Sequence, residues 1–418
     1  MEKDKAAQLL IDAAKGFHGR FKKMYGQIAL RLDENTYMIT GGNVPLSDIR
    51  DDFGFEICDI NTGDLGEIFR SRPGVNAFMF GISPDSVLVS SEYADRGGVL
   101  VPLEDAAQIC GPVIKIIPDA TAANVLAAIP DAGACMVSGT GIIALSADLN
   151  RAAAWVQIIE KSCEAYVHGK VLGGVTPLDS AVSGSLHTSY LSEYLGTNEE
   201  RHVNYIGFDE SEFSLRSELT EIGRNIIRRD LAYGAWGNAS VRLSDHEMLI
   251  TPTSMDYFDI NIEDIVRVDI NTLDYGDQRV PSSEANVHAR LYRDYPDCGA
   301  VILTHSNAMS TFAACEAGFV ISDPAMQQLI GHVKVVDYAM PGSQELEAAV
   351  SQTLSDTHAA VISHHGAIFR GPSADVVFAV AEAVEMRARN LLDFDTRDLI
   401  EEASETAESD EIAGDADN

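Results

Sequence analysis

The chain repeats itself, and the repeat restricts it to folds that can form twice along one polypeptide. Residues 26–40 (GQIALRLDENTYMIT) align with residues 237–251 (GNASVRLSDHEMLIT) without a gap, at an offset of 211. Further on, DINTGDLG (59–66) faces DINTLDYG (269–276), with six of eight positions identical at an offset of 210. ACMVSGTGI (134–142) then aligns with AAVISHHGA (359–367), and the helical stretch ending in Ile159-Glu160 aligns with the one ending in Val384-Glu385. Each copy is of the order of 170–180 residues, the size of one domain. Between them lies Leu172 to Phe213, with the Gly-, Ser-, Thr- and Pro-rich run GGVTPLDSAVSGS typical of connecting segments. The predicted organisation is a first domain over 1–171, a linker or extension over 172–212, a second domain over 213–396 and an acidic tail over 397–418.

Composition narrows the partners. The 418 residues carry a formal charge of −34, which opposes nucleic-acid phosphates. No apolar run reaches the ~18 residues of a membrane span, and the charged N-terminal stretch lacks the apolar core of a signal peptide. A cytoplasmic protein with neither membrane nor nucleic-acid partners is expected. The tail EEASETAESDEIAGDADN is acidic and has no aromatics, the composition of a disordered solvating segment. None of the six cysteines forms a CxxC pair, and each sits in or beside an apolar stretch; they read as buried, reduced thiols.

The second copy has readable elements. Leu219, Ile222, Ile226 and Ile227 recur at helical spacing within 215–230, and 240–251 and 265–270 alternate as strands. A helix is predicted over 283–295, short apolar strands over 300–304 and 359–363, and a long amphipathic helix over 373–392 with Ser373 as its N-cap. Strands placed between helices make the class α/β.

Four clusters in this copy carry polar chemistry. Gly237-Asn238-Ala239-Ser240 is a tight turn into a strand, and Thr251-Pro252-Thr253-Ser254 is a hydroxyl-rich loop leaving it; either reads equally as a plain turn. Pro281-Ser282-Ser283-Glu284 opens a helix, where free N–H groups and hydroxyls suit an anion such as phosphate, although capping alone explains the same residues. His305 and the His364-His365-Gly366 turn follow two short apolar strands. Strand ends are where α/β proteins gather functional groups, and imidazoles there either ligate a metal or serve a structural role.

GNAS, TPTS, PSSE, THS and HHG, in this order and spacing, together resemble the class II aldolase/adducin family, which includes L-fuculose-1-phosphate aldolase, L-rhamnulose-1-phosphate aldolase and L-ribulose-5-phosphate 4-epimerase. The resemblance covers about 215–392 and is especially close over SEANVHARLYRDYP (283–296); the first copy resembles the family in scaffold only. It implies two tandem three-layer α/β/α domains, each with a mostly antiparallel central sheet. It also implies cyclic tetramers with active sites between neighbours, so that two duplicated chains form a homodimer of pseudo-tetrameric symmetry. By carry-over, Asn238, Thr253, Ser254, Ser282 and Ser283 bind the substrate phosphate, Glu284 is the catalytic acid/base, and His305 and His365 ligate a divalent metal, usually zinc, with manganese as an alternative. The implied activity is retro-aldol cleavage or epimerisation of a small sugar phosphate. A non-catalytic adducin-like scaffold, or an enzyme altered for a non-phosphorylated hydroxycarbonyl compound, is the alternative.

Three departures bear on this expectation. Leu303 stands where the family pattern has the first His of a His-x-His pair, and His364 stands where it commonly has Asn. Alternation along a strand directs His364 away from His365, leaving Glu284 as the better third ligand. The phosphate loop carries Thr253-Ser254 in place of Ser-Gly. In the first copy, Gln27 replaces Asn, Arg72 stands near the position of Glu284, and Thr140 replaces His365. His18, His168 and His187 match no ligand position, so no metal site is expected there.

Overall fold

The computed structural model describes residues 1–17, 24–50, 53–195, 207–321 and 323–392; the acidic tail and His18 lie outside the described residues. Sixteen strands form two sheets. The first copy supplies β1 (Tyr25–Arg31), β2 (Thr36–Thr40), β3 (Val44–Pro45), β4 (Phe55–Asp59), β5 (Ala77–Ile82), β6 (Gly98–Leu100), β7 (Val113–Ile117), β8 (Gly133–Val137) and β9 (Gly141–Ser146). The second supplies β10 (Asn238–Arg242), β11 (Glu247–Ile250), β12 (Val266–Asp269), β13 (Ala300–Thr304), β14 (Lys334–Val336), β15 (Ala359–Ile362) and β16 (Gly366–Gly371).

The strand orders are β4-β2-β1-β5-β9-β8-β7-β6, with β3 beside β1, and β12-β11-β10-β13-β16-β15-β14. Read in parallel, the seven strands of the second sheet match seven of the first one for one. Both sheets are antiparallel except at equivalent places, the parallel pairs β7–β8 and β14–β15. The steric detail repeats too. A Cβ on Gly141 would lie 2.3 Å from the Gly81 carbonyl oxygen, and one on Gly366 2.1 Å from that of Thr304. Each glycine opens the central hairpin-forming strand where the neighbouring strand presses on it.

Alternation along the strands builds three layers in each copy. In the first, Ile28 and Leu30 pack with Leu10, Trp155 and Ile159 from the helices Lys3–Ala14 and Leu149–His168. The intervening Ala29 faces Ile68, Phe69 and Val125 on the opposite side. In the second, Ala239 and Val241 pack against Leu219, Ile222 and Ile226 of the helix Glu210–Arg228 and against Val377 and Val384 of the helix over 374–392. Met248, Ile250, Val301 and Leu303 face the helices Ala285–Asp294 and Gln344–Thr353.

Two details differ from the sequence reading. The stretch 240–251 is a hairpin of β10 and β11, not one strand, because Ser244-Asp245-His246 turns the chain: the Ser244 hydroxyl accepts the His246 N–H. The connecting segment carries a helix, Ser180–Ser189, capped by Asp179. The two copies are in contact. The helix Leu149–His168 of the first packs along Asn307–Ala314 of the second, and the fully buried Lys161 Nζ donates across the junction to the His305 carbonyl oxygen at 3.1 Å.

Candidate active site

A cavity of about 570 Å³ opens at the C-terminal ends of β13 and β15, against the first copy. Asn238, Thr253, Ser254, Ser282, Ser283, Glu284, His305 and His365 all line it, so every predicted site residue is brought to one place. Main-chain pairing gathers them. Thr253 N–H donates to the Val280 carbonyl at 3.0 Å and Ser282 N–H to the Thr251 carbonyl at 3.1 Å, which lays the two hydroxyl-rich loops side by side with a bridge between Pro252 and Pro281. Ser254 has φ 58°, so the loop keeps the left-handed turn that glycine ordinarily supplies.

Glu284 sits at the N-cap of the helix Ala285–Asp294 and is only 4% exposed. Its Oε2 accepts the Asn238 side-chain N–H at 2.7 Å; Asn238 therefore positions Glu284 as well as facing the cavity. Its Oε1 lies 3.1 Å from His365 Nε2. Burial pushes the Glu284 carboxyl up, but the His365 and His305 imidazoles and the Asn238 amide outweigh it and bring it down to about 2.

His365 lies between two carboxylates. Its Nδ1 is 2.6 Å from Glu104 Oε2, a residue of the first copy. Burial disfavours its charge, yet Glu284 and Glu104 hold its pKa well above the ordinary histidine range. His305, with its ring centroid 5.0 Å from that of His365, has Nδ1 3.5 Å from Asp105 Oδ2. Burial brings its pKa down to about 4. Asp105 is in turn paired with Lys161, and the Glu104 backbone N–H donates to the His364 carbonyl at 2.8 Å.

The sequence reading missed Glu104 and Asp105. The signal was present: an acidic pair enclosed by apolar residues in VLVPLEDAAQIC must be buried with partners. His364 is turned from the site, but not by strand alternation. It lies in the β15–β16 turn at φ 60°, where the first copy has Gly139 at φ 60°, and its Nδ1 is 3.0 Å from the Pro102 carbonyl oxygen. Leu303 is fully buried among Val287, Leu291 and Ile368.

In the first copy the equivalent positions hold no metal-ligating side chain: Gln27 and Thr140 stand for Asn238 and His365. Phe80 and Ile82 occupy the places of Leu303 and His305, as the register of β5 on β9 and β13 on β16 shows. The assignment of Arg72 to the Glu284 position does not hold: Arg72 is the C-cap of the helix Gly63–Ser71, whereas Glu284 is an N-cap. Copy one has only 17 residues between β4 and β5 where copy two has 30 between β12 and β13, and the missing segment includes the serine loop. Of the first copy's histidines, His168 contacts Asp85 at 3.6 Å and His187 Nδ1 meets the Gln108 carbonyl at 2.7 Å. Among the described residues, Asp85, Glu160 and Glu164 are the group whose ligand-type atoms all lie within 4.8 Å of one another; they belong to the first copy and do not line the cavity.

Comparison with known proteins places these features in a wider set. Residues 10–167 and 217–392 both match the family described as Class II Aldolase and Adducin N-terminal domain. An L-fuculose phosphate aldolase of Haemophilus influenzae is 33% identical over 176 residues, 41% of this chain and 76% of that protein. A 3-oxo-tetronate 4-phosphate decarboxylase of Escherichia coli is 31% identical over 190 residues, 44% of this chain and 88% of that protein. A solved L-fuculose 1-phosphate aldolase is 29% identical, with a TM-score of 0.41, covering 44% of this chain and 87% of its own. Among the described residues, no helix is long and apolar enough to cross a membrane.

Proposed function

Because this chain belongs to the class II aldolase and adducin family, with two tandem copies of the domain, we propose that it is a divalent-metal-dependent lyase. It would break a carbon–carbon bond beside the carbonyl of a small sugar phosphate, in the cavity of the second copy. One observation carries the reading: a buried carboxylate and two buried imidazoles meet in one cluster, Glu284 Oε1 at 3.1 Å from His365 Nε2 with the His305 ring alongside.

The residues fit a cation. A carboxylate and two imidazoles, the donor set of a divalent-metal site, are buried together there, and Asn238 Oδ1, on the side chain that holds Glu284, is a buried acceptor with no hydrogen-bond partner. Each imidazole points Nδ1 at a carboxylate, the arrangement that leaves the other ring nitrogen for a metal. His305, His365 and Glu284 would hold the ion, zinc being the expected one. When bound, a divalent cation supplies the positive charge that stabilises the electron-rich oxygens left as the bond breaks. Glu284, held by Asn238, delivers or removes the proton at carbon. The loops of Thr253, Ser254, Ser282 and Ser283 receive the phosphate, and the apolar surface around Leu303 fixes the position of β13. Two chains would associate so that their four copies make a ring of pseudo-fourfold symmetry; light scattering at micromolar concentration tests this, and a stable monomer overturns it.

A second reading rests on charge. Glu104, Asp105, Asp148, Asp256, Asp259 and Glu284 line the cavity against two arginines, Arg151 and Arg279. Arg151 lies 3.4 Å from Asp148 and Arg279 2.9 Å from Asp264. Such a wall disfavours a dianion and suits a non-phosphorylated hydroxycarbonyl compound. The deciding experiment measures metal content of the purified chain and aldehyde or CO2 release from ketose 1-phosphates, 3-oxo acid 4-phosphates and their dephosphorylated forms. Turnover of the phosphorylated members with stoichiometric metal supports the first reading. Turnover of the dephosphorylated members alone supports the second. A metal-free chain that turns over none is a scaffold.

A further inference from the structure

We infer that Glu104 and Asp105, in the copy that has lost its own site, are the positioning residues for the metal-facing imidazoles of the other copy. The inference rests on the proposed metal site and goes beyond it, because it gives the first copy a chemical task. Four observations carry it. The two carboxylates are adjacent in sequence, at the start of the helix Glu104–Cys110. Both are 2% exposed. Each addresses a different histidine through the same ring atom, Glu104 at 2.6 Å from His365 Nδ1 and Asp105 at 3.5 Å from His305 Nδ1. Their placement is fixed from both sides of the junction. The Glu104 N–H is held by the His364 carbonyl, the Pro102 carbonyl meets the His364 ring, and Lys161 binds both Asp105 and the His305 carbonyl.

The physical logic is direct. An imidazole hydrogen-bonded to a carboxylate through Nδ1 is locked in one ring orientation and is a stronger donor at Nε2. A site that has leucine where a third imidazole is expected needs that gain more than a complete site does. A structural origin for the pair is a poor alternative: buried carboxylates placed only to hold two domains together would pair with lysine or arginine, as Asp105 does with Lys161, and would have no reason to meet both histidines. Glu104 has no lysine or arginine partner among the described residues; the charged group it meets is His365.

The test uses the full chain, loaded with Zn²⁺ or Co²⁺, as wild type, Glu104→Gln, Asp105→Asn, and Asp105→Asn combined with Lys161→Met. The last variant removes the lysine that Asp105→Asn would strand in the interior, so that loss of folding does not mask the result. Calorimetric titration should show metal affinity 10–100-fold weaker in the Glu104 and Asp105 variants, and the visible spectrum of the Co²⁺ forms should shift in position and intensity. Thermal unfolding of the metal-free proteins identifies any variant that has lost its fold. If folded Glu104→Gln and the double variant bind within twofold of wild type with unchanged Co²⁺ spectra, the inference is overturned while the metal site stands. If wild type takes up no metal at millimolar concentration, the metal-site reading and the inference both fail.

Discussion

Glu284 and His365 meet at 3.1 Å in the second copy, carboxylate oxygen to ring nitrogen, both nearly fully buried. Neither is free to leave without uncovering the other, and the pair sets the chemistry on one face of the cavity. Glu284→Gln keeps the shape and the Asn238 contact but cannot move a proton. It should lower kcat by ~10²–10⁴-fold, the range for loss of a general acid/base, with a much smaller change in KM. Steady-state kinetics on whichever substrate the wild type turns over decides this; a loss under threefold would remove Glu284 from the catalytic role.

His365→Ala acts on stability as well. It leaves Glu284 and Glu104 facing one another in the interior without the cation between them. Removing one partner of a buried charge set costs ~3–5 kcal/mol, so metal-free His365→Ala should unfold at far lower urea concentration than wild type. The sign with pH follows. The wild-type His365 pKa is raised, so its contribution is complete below the unfolded value near 6.5 and is lost as pH rises through the folded value. The gap between the two proteins should therefore narrow as pH rises through the folded value of His365, as a series of urea titrations from pH 6 upward would show.

Acid stability turns on the opposite shift. His288 is fully buried, with Nδ1 2.7 Å from the Ser240 hydroxyl, and burial brings its pKa down to about 4. The unfolded chain takes up this proton as pH falls through ~6.5 and the native chain only near 4. Stability from this group is therefore full above pH 6.5 and declines by ~3 kcal/mol on the way to pH 4. Glu284, lowered to about 2, adds its loss only below pH ~4.5. His288→Gln should flatten the decline between pH 6.5 and 4.5 in the metal-free protein, and an unchanged slope would assign the effect elsewhere.

The paired glycines offer a test of the repeat that involves no active-site residue. Gly141→Ala and Gly366→Ala each drive a methyl group into a backbone carbonyl at 2.3 and 2.1 Å. Relief requires strands to separate, at a cost on the order of 3 kcal/mol. Both substitutions should lower the melting temperature to a similar extent. A cost at one position and none at the other would break the structural equivalence of β9 and β16.

Leu303 stands where the resemblance noted in the sequence implies a third imidazole. Leu303→His places a polar ring among Val287, Leu291 and Ile368. The metal-free variant should lose ~1–3 kcal/mol, and Zn²⁺ should restore its melting temperature and bind more tightly than to wild type. Destabilisation without rescue by zinc would show that the site no longer has geometry for a third imidazole.

The duplication, the strands near 265–270, 300–304 and 359–363 and every residue that carries a family motif could be read from the sequence, because they are local: turn residues, alternation and helix starts state themselves within a few positions; β14, β16 and the turn that splits 240–251 could not. What escaped depended on distance or on missing residues. Glu104 and Asp105 lie two hundred or more positions from the histidines they face, in the copy with no site of its own, and their burial was implied only by apolar neighbours. Arg72 was misplaced because a deletion between β4 and β5 shifts any count made forward from DINTGDLG. His364 was given the right direction for the wrong reason, since its left-handed turn conformation is a property of φ that residue identity alone argues against.

The contact of the first copy with the second copy's cavity has one more consequence. When a pocket is shared by identical subunits, each substitution in the gene alters the reacting surface and the opposing wall together. Here the two surfaces are written in separate stretches of one chain, 100–200 on one side and 230–370 on the other. Mutation can reshape the wall, and with it the set of molecules admitted, while the face that carries Glu284 and His365 stays as it is. Two copies in one chain thus make the two walls of this pocket independently variable.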